Sequence, residues 1–314
     1  MSESRPPKGI IGAALTPFMK ENQVDHDALA EHVRFLANHC AAVSVLGAEV
    51  SEYRVLSPRD RREALTSAVQ AIEKSVPVVA GASHPSADEV VRLSEAAAAA
   101  GADFVQVLIP VTPAGNGART ADLVAYFEYV TARSALPVVA YHNPPRGTDV
   151  TASAMVELAM IDRVVAFKES SRDITKIGRL CAEIDEAGHA RYFTTMQALL
   201  PTLTLGGSGA MMPAPGTLIG VAVTDAFNDN DLETAARYQR GYRLFPGAWG
   251  QYGLAPTMKA AMTALGLGLG GPARPFAPLP EAEIEAIGRH LNRLGVPRLI
   301  ETTTSPRTKQ GVPS

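Results

Sequence analysis

The sequence VVAFKESS at residues 164–171 places a lysine and a glutamate directly after four consecutive apolar residues. A run that is apolar at every position is typical of a strand in a parallel sheet, because helices cover such a sheet on both faces. Lys168 therefore stands where a buried strand leaves the core. Its ammonium group either reaches solvent at the rim of the sheet or lies in a partly dry pocket.

Seven other apolar runs accompany this segment, and longer stretches with helical patterns lie between them. Together with residues 164–167, the predicted strands cover residues 10–15, 42–46, 76–80, 104–109, 136–140, 192–195 and 209–212. Eight strand–helix alternations predict an α/β protein with a (β/α)8 TIM barrel, and a doubly wound open sheet is the alternative. No GxGxxG sequence follows an early strand, which disfavours an open sheet that binds a dinucleotide.

Polar residues mark the starts of several predicted helices. Ser57 followed by Pro58 predicts an N-cap with proline at the first helical position. Residues 86–89, with the sequence SADE, predict a capping box, in which a serine and a glutamate satisfy each other's backbone donors. Asp25 and Thr151 are weaker candidate N-caps.

The alternation of strands and helices ends near Asp229, and the chain then becomes helical over residues 231–245, 255–265 and 281–294. We therefore expect a barrel at residues 8–228 and a small C-terminal helical region at residues 229–298. Residues 299–314 are rich in Thr, Pro and Lys, which predicts a disordered tail.

Composition excludes several classes of protein. The 314 residues carry a formal net charge of −3 and no long basic run, which argues against nucleic-acid and membrane-surface partners. No apolar stretch reaches the roughly 20 residues of a membrane span, and the N-terminus shows no signal peptide. Cys40 and Cys181 lack metal-type spacing, so we expect a cytoplasmic protein without a metal site.

In a TIM barrel the active site lies at the C-terminal ends of the strands. Tyr141 ends the fifth predicted strand as Lys168 ends the sixth, and neighbouring strands lie about 4.8 Å apart. In a dry pocket the pKa of a lysine falls below its usual value of about 10.4, and the neutral amine attacks carbonyl carbons to form imines. A phenol beside the amine supplies and recovers the protons that this reaction requires. Together the two residues favour imine chemistry over two unrelated rim side chains.

Weaker candidates share the same rim. Arg146 follows Tyr141 in one loop, and its planar fork suits a substrate carboxylate, although a surface arginine is an equal alternative. Glu49 and Glu52 follow the second predicted strand. They are either a pair of acidic groups with a role in catalysis or, for Glu52, a residue that orders its own loop.

Three further signals favour structural roles. His84 and His142 follow predicted strands, and for each we favour a hydrogen-bonded structural histidine over an acid or base. The glycine-rich residues 206–209 are able to hold an anion, but glycines near a barrel strand more often allow close packing.

Across residues 8–297 the chain resembles the dihydrodipicolinate synthase / N-acetylneuraminate lyase family of class I aldolases. The segments that carry the resemblance are ALTPF at 14–18, YHNPPR at 141–146, VAFKES at 165–170, LGGSG at 205–209, Pro256 with Lys259, and RPFAPL at 274–279. Each is short, and their order and spacing together are specific.

The resemblance implies a TIM barrel with a C-terminal helical region, assembled as a homotetramer, without metal or organic cofactor. It implies that Lys168 is the Schiff-base lysine and that Tyr141 is the proton-transfer phenol. Arg146 stands at the position that contacts the carboxylate of the second substrate in the synthase branch.

The departures from the family pattern concern substrate recognition. Glu49 and Val50 replace the two threonines that bind the oxo-acid carboxylate and relay protons, while the glutamate that follows is kept as Glu52. The tyrosine pair expected after strand four is replaced around residues 110–112, and Thr195 stands at a glycine position. With Met211, the residues Glu49, Val50 and Thr195 complete the predicted substrate-binding set beside Arg146.

A carboxylate at position 49 disfavours a bound substrate carboxylate by about 1–4 kcal/mol at a separation of a few ångströms. Either the substrate carboxylate lies elsewhere, nearer Arg146, or the substrate presents a donor group to Glu49. Both readings argue against synthase activity in the lysine pathway.

The leading hypothesis is a Schiff-base aldolase or lyase that acts on a small-molecule 2-oxo acid of the pyruvate type. The second is a dehydratase or hydratase-aldolase that uses the same imine on a sugar acid or an unsaturated 2-oxo acid. The third is a barrel that has lost catalysis and acts as a binding protein. The presence of both Lys168 and Tyr141 counts against the third.

Overall fold

The computed structural model describes residues 5–110, 118–144, 149–242, 250–297 and 299–300. Eight parallel strands pair in sequence order, and the eighth pairs with the first to close a barrel. The strands are β1 (Gly9–Ala13), β2 (Ala42–Val45), β3 (Val78–Gly81), β4 (Phe104–Leu108), β5 (Val138–His142), β6 (Val164–Glu169), β7 (Arg191–Thr194) and β8 (Gly209–Pro213). The prediction of a TIM barrel is confirmed.

Burial explains why the strands are apolar at nearly every position. In β2, β4, β5 and β6 every residue is buried, because the barrel interior covers one face and the helices cover the other. β5 and β6 each continue two residues beyond the predicted apolar run, through His142 and Glu169. These polar residues belong to the strands because the backbone pairing of β5 with β6 continues through them, and the buried side chains of His142 and Glu169 are hydrogen-bonded to each other.

Helices cover the outside of the barrel between consecutive strands. They are α1 (His26–Ala37), α2 (Pro58–Ile72), α3 (Ala87–Ala100), α4 (Thr120–Arg133), α5 (Ala152–Ala159), α6 (Ile174–Leu180), α7 (Leu199–Thr204) and α8 (Gly216–Asn228). The C-terminal region adds α9 (Leu232–Gly241), α10 (Leu254–Ala264) and α11 (Glu281–Arg293). α9 packs against α8, and α10 packs against α11. The boundary at residue 228 stays a prediction, and residues 301–314 of the predicted tail lie outside the described residues.

Three of the four predicted N-caps are confirmed. The side chains of Asp25, Ser57 and Thr151 each accept a hydrogen bond from a backbone N–H in the first turn. The capping box at 86–89 is wrong, because the Ser86 side chain makes no capping hydrogen bond. Glu89 pairs with Arg92 instead of turning back toward the start of the helix.

The glycine-rich loop at 206–209 serves close packing. A Cβ atom on Gly209 would lie 2.0 Å from the carbonyl oxygen of Gly9 on the neighbouring strand, and Gly209 has φ +145°. Only glycine fits there. The loop precedes β8 and so lies at the end of the barrel opposite to the C-terminal ends of the strands. In the described ranges, no helix is both long enough and apolar enough to cross a membrane.

Candidate active site

A cavity of about 700 Å³ opens at the C-terminal ends of the strands. Its barrel side is formed by the loop after β2, the ends of β5, β6 and β8, and the turn after β7. The opposite side is formed by the start of α10 and by the segment that follows this helix. The lining residues include Glu49, Val50, Tyr141, Lys168, Thr195 and Met211, which are all the predicted site residues that the structure describes. Arg146 lies outside the described residues.

Lys168 and Tyr141 are brought together by the register of the sheet. β5 and β6 pair Tyr141 directly with Lys168, so both side chains point to the same face. The amine nitrogen Nζ of Lys168 lies 4.5 Å from the centre of the Tyr141 ring. The same amine donates a hydrogen bond to the hydroxyl of Ser170. One cavity therefore holds an amine, a phenol and a hydroxyl in contact.

Burial changes the protonation of Lys168. The side chain is 6% exposed, and burial lowers the pKa of Lys168 from 10.5 to about 7. The charge of Glu169 opposes this shift in pKa, whereas the positive charge of Arg172 adds to it. Arg172 also lines the cavity. A large share of Lys168 side chains is therefore uncharged at neutral pH.

Tyr141 keeps its proton at neutral pH. Burial raises the pKa of Tyr141 above its ordinary value, and the negative charge of Glu49 raises it further. Hydrogen bonds with Asn143 and Ser170 act in the opposite direction without reversing the shift. The Asn143 amide nitrogen donates to the Tyr141 hydroxyl over 2.8 Å. The phenol of Tyr141 therefore carries its proton at neutral pH and is held beside the amine.

The residues that follow Tyr141 and Lys168 point to the other face of the sheet and form a buried network. Nδ1 of His142 lies 3.1 Å from Oε1 of Glu169, and Nε2 lies 3.0 Å from Asp149. The hydroxyl of Tyr192 donates to Glu169 over 3.3 Å. Burial alone would raise the pKa of Glu169, but the hydrogen bond with His142 helps to hold it below its ordinary value. His142 therefore fixes the ends of β5 and β6 and does not line the cavity.

Glu49 is engaged by neighbours on its own loop. Its two carboxylate oxygens each lie 3.0 Å from a guanidinium nitrogen of Arg54, and the Tyr53 hydroxyl donates to it over 3.2 Å. Val50 beside it is buried. The charge of Glu49 is thus partly balanced before any substrate arrives, which weakens its repulsion of a substrate carboxylate.

Glu52 has a structural role that links the barrel to the C-terminal region. One carboxylate oxygen lies 2.6 Å from Nζ of Lys259 on α10, and the other accepts the backbone N–H of Ala273 over 2.8 Å. Lys259 is 1% exposed and also donates to the carbonyl of Gly271 over 2.9 Å. Glu49 and Glu52 therefore do not form a carboxylate pair, because each is matched to a different cation.

The remaining predicted residues have distinct places. Thr195 is 9% exposed, and its hydroxyl has no hydrogen-bond partner in the part of the chain that the structure describes. Met211 contributes apolar surface at the end of β8. His84 is structural, since its ring accepts the backbone N–H of Ser86 over 3.0 Å and its carbonyl accepts the Tyr126 hydroxyl. Of the replaced tyrosine positions, only Pro110 is described.

Sequence reasoning missed several residues of the cavity. Ser170 and Arg172 follow Lys168 by two and four residues. Extended chain returns every second side chain to the same face, so both reach the rim of the cavity with Lys168. Asn143 stands two residues after Tyr141, the spacing that returns a strand residue to the same face. Leu254 and Phe276 were not predicted to line the site, although Phe276 lies in the family-like segment 274–279, because only tertiary packing brings the C-terminal region over the barrel.

Cys40 and Cys181 are buried free thiols. Within the described ranges, His, Cys, Asp and Glu side chains form no group of three or more that could hold a metal ion. The polar groups of the cavity include an amine, a guanidinium, two phenols, hydroxyls and amides, with the acidic groups matched to Arg54 and Lys259.

Comparison with known proteins gives a consistent assignment. The model of the dihydrodipicolinate synthetase family matches residues 6–294. A 4-hydroxy-tetrahydrodipicolinate synthase from Methanococcoides burtonii is 27% identical over 294 residues, which cover 92% of this chain and 98% of the relative. An uncharacterized DapA-like lyase from Halobacterium salinarum is 27% identical over 295 residues, covering 92% of this chain and 94% of the relative.

Solved structures agree with these relatives. YagE, an Escherichia coli K12 prophage protein of the dihydrodipicolinic acid synthase family in complex with pyruvate, is 25% identical with a TM-score of 0.83, covering 92% of this chain and 99% of YagE. An N-acetylneuraminate lyase from Mycoplasma synoviae shares the fold with a TM-score of 0.76 at 21% identity, covering 96% of this chain and 98% of the lyase. The chain therefore belongs to the dihydrodipicolinate synthetase family, a family of lyases and synthases of the class I aldolase type.

Proposed function

We propose that the enzyme forms an imine between Lys168 and the ketone of a 2-oxo acid, and uses it to break or form a carbon–carbon bond. The observation that carries this proposal is the environment of Lys168, a buried amine in a cavity with a lowered pKa of about 7 and a phenol beside it. About half of such amines are uncharged at neutral pH, whereas an ordinary lysine is almost fully protonated. The uncharged amine is the form that attacks a carbonyl.

The reaction begins when the Lys168 nitrogen adds to the ketone carbon and the carbonyl oxygen takes up a proton. The hydroxyl of the carbinolamine then takes up a second proton and leaves as water, while the nitrogen loses one proton and the carbon–nitrogen double bond of the protonated imine forms. Tyr141 gives and recovers these protons, because it keeps its proton at neutral pH and lies against the amine. The Ser170 hydroxyl is hydrogen-bonded to the amine and to Tyr141, so it links the two groups.

Arg172 is the group that we propose for binding the substrate carboxylate. Among the cavity-lining residues that the structure describes, the positive side chains are Lys168 and Arg172. Arg172 has φ +64°, a conformation that favours glycine and costs other residues about 1 kcal/mol. Its charge lowers the pKa of Lys168, which indicates that the two groups are close. A carboxylate between them would have two positive partners, and the pairing of Glu49 with Arg54 limits the repulsion that Glu49 exerts on it. Arg146 is a second candidate for this role.

The relatives support a pyruvate-type donor. YagE was solved in complex with pyruvate, and 4-hydroxy-tetrahydrodipicolinate synthases are among the relatives of this chain. We do not extend the lysine-pathway reaction to this chain, because Glu49 and Val50 stand where the family has two threonines. We also propose that the enzyme is a homotetramer in the cytoplasm. Light scattering measures the molar mass of the purified protein and so the number of subunits.

The test is reductive trapping of the imine. The protein is incubated with pyruvate and with a panel of other 2-oxo acids, reduced with borohydride, and measured by intact mass beside two variants. Lys168→Ala is expected to lose the adduct. Lys8→Ala, which removes an exposed lysine directly before β1, at the end of the barrel opposite to the cavity, is expected to keep it. Product analysis with the trapped donor then separates an aldolase from a dehydratase that uses the same imine.

Two results would contradict the proposal. An adduct that persists in Lys168→Ala would place the reactive amine elsewhere. The absence of an adduct with every 2-oxo acid, in wild-type protein shown to be folded, would favour a barrel that binds without catalysis.

A further inference from the structure

The two sides of the cavity differ in chemistry. Within the described residues, all charged groups that line it belong to the barrel side, namely Glu49, Glu52, Lys168 and Arg172. The opposite side comes from the C-terminal region and presents carbon surface. It consists of Tyr252, Gly253, Leu254, Ala255, Pro256, Pro272 and Phe276, and we call it the apolar wall. The phenol of Tyr252 is the polar side-chain group of this wall.

The apolar wall is held in a fixed place relative to Lys168. The Glu52 carboxylate contacts both Lys259 of α10 and the backbone of Ala273, so one barrel residue anchors both segments of the wall. Phe276 is 66% exposed although it is a large apolar side chain at the cavity. A ligand that covers Phe276 with apolar surface would remove this exposed area from water, which is favourable in proportion to the area.

The cavity is much larger than a small 2-oxo acid. Cavities of about 300–1,000 Å³ enclose ligands of drug size, and this one measures about 700 Å³. A small donor joined to Lys168 fills only part of this volume on the barrel side, and a second reactant that extends from it meets the apolar wall. A polyhydroxylated chain there would leave hydroxyls without partners, and each buried, unpaired hydroxyl is costly.

We propose, building on the imine at Lys168, that the second reactant carries an aryl or branched alkyl group that packs on the apolar wall. In the forward direction this reactant is an apolar aldehyde; in the reverse direction the substrate is a 2-oxo acid with an apolar group beyond the bond that breaks. The selectivity resides in Leu254 and Phe276, which offer side-chain carbon to the ligand without touching the amine.

Binding measured without the imine tests this selectivity separately from the chemistry. In Lys168→Ala protein, calorimetry compares 2-hydroxy-4-phenylbutanoate with gluconate, two hydroxy acids of equal heavy-atom count. We expect the phenyl compound to bind at least about tenfold more tightly. Adding Leu254→Asn and Phe276→Ser should remove most of this preference, whereas Leu232→Ser, at an exposed apolar residue of α9, should leave it intact.

Equal or tighter binding of gluconate overturns the proposal, and so does a preference that survives the Leu254→Asn and Phe276→Ser changes. Circular dichroism establishes that each variant is folded before binding is measured. The trapping experiment with pyruvate stands apart from this one. If no 2-oxo acid of the panel gives an adduct, the imine proposal fails, while the two hydroxy acids still decide whether the wall selects apolar groups.

Discussion

Two buried lysines lie at the same end of the barrel in opposite electrostatic settings. Lys259 is 1% exposed and contacts the Glu52 carboxylate at 2.6 Å, a backbone carbonyl, and the face of the Phe18 ring at 4.4 Å. Lys168 is 6% exposed, and its contacts are the Ser170 hydroxyl and the Tyr141 ring. The ammonium group of Lys259 has a carboxylate at salt-bridge distance. Among the described residues, no carboxylate lies that close to the amine of Lys168.

The difference teaches that the partner, and not burial, separates a structural lysine from the one that we propose to be reactive. Burial lowers the pKa of both lysines, but the charge and hydrogen bond of Glu52 oppose this for Lys259. Glu169 follows Lys168 in the chain, yet its side chain lies on the other face of β6, where it contacts His142 and Tyr192. The alternation of a strand thus keeps the nearest carboxylate from pairing with the reactive amine.

The largest expected effect comes from taking the partner of Lys259 away. Glu52→Gln leaves a buried ammonium group without a matching charge, which should lower the free energy of unfolding by about 3–5 kcal/mol. Urea denaturation followed by circular dichroism measures this change.

A second variant separates the loss of the Glu52–Lys259 ion pair from the loss of side-chain packing in that experiment. In the double variant Glu52→Gln, Lys259→Met the unmatched charge is gone, so part of the lost stability should return. A double variant less stable than Glu52→Gln would show that Lys259 contributes mainly through its hydrogen bond to Gly271 and its packing.

The converse experiment gives Lys168 the kind of partner that Lys259 has. Ser170→Asp places a carboxylate beside the amine and should raise the pKa of Lys168 by two units or more. The uncharged fraction at pH 7, and with it the rate of imine trapping with pyruvate, should then fall about 50-fold or more. Ser170→Asn is the matched control, because it has nearly the same shape without the charge. Equal losses in both variants would mean that the hydroxyl itself, and not the charge balance, sets the rate.

Much of the fold and the centre of the site were predictable from sequence. Apolar runs identified all eight strands, and the parallel register then brings residues at the ends of neighbouring strands together. Tyr141 and Lys168 are therefore placed by rules that act locally along the chain. The resemblance to the family added their proposed roles and the expected helical region.

Other features depend on the exact course of turns or on contacts between distant segments, which the patterns of one sequence do not specify. Glu49 seemed to face the substrate, but a 3₁₀ turn over Glu49–Ser51 and the next turn bring Arg54 back to its carboxylate. Glu52 and Lys259 are 207 positions apart (259 − 52), so their pairing had no local signal. The failed capping box at Ser86 is a local miss, because Glu89 pairs with Arg92, three residues further along the same helix, and does not turn back to the N-terminus.

Removing the unmatched amine should stabilise the fold. A pKa of about 7 in the folded state, compared with 10.5 when unfolded, means that the unfolded chain binds the proton more tightly. The shift of 3.5 units (10.5 − 7) corresponds to an upper limit of about 5 kcal/mol of destabilisation at acidic and neutral pH. After loss of the Ser170 contact, Lys168→Met should still raise the free energy of unfolding by about 1–3 kcal/mol at pH 7.

The pH dependence of that gain checks its origin. The penalty in the wild-type protein is complete below pH 7 and fades as the pH approaches 10.5, so the advantage of Lys168→Met should shrink over the same range. Denaturation of both proteins at pH 7 and at pH 9.5 measures the two differences. A gain that is constant with pH would come from packing of the methionine and not from removal of the charge.

The smallest expected effect, a tenfold change per pH unit, is also the most direct comparison of the two kinds of lysine. Trapping with saturating pyruvate and cyanoborohydride should quicken about tenfold from pH 5 to pH 6 and level off above pH 8, because the uncharged fraction of Lys168 follows a pKa of about 7. The raised pKa of Tyr141 keeps the phenol protonated throughout this range, so its titration should not add a second limb to the pH–rate profile. A rate that keeps climbing to pH 10 would show an amine of ordinary basicity. Such a result would mean that, in solution, a negative group stabilises the charged form of Lys168 as Glu52 does for Lys259. Burial alone would then not make Lys168 reactive.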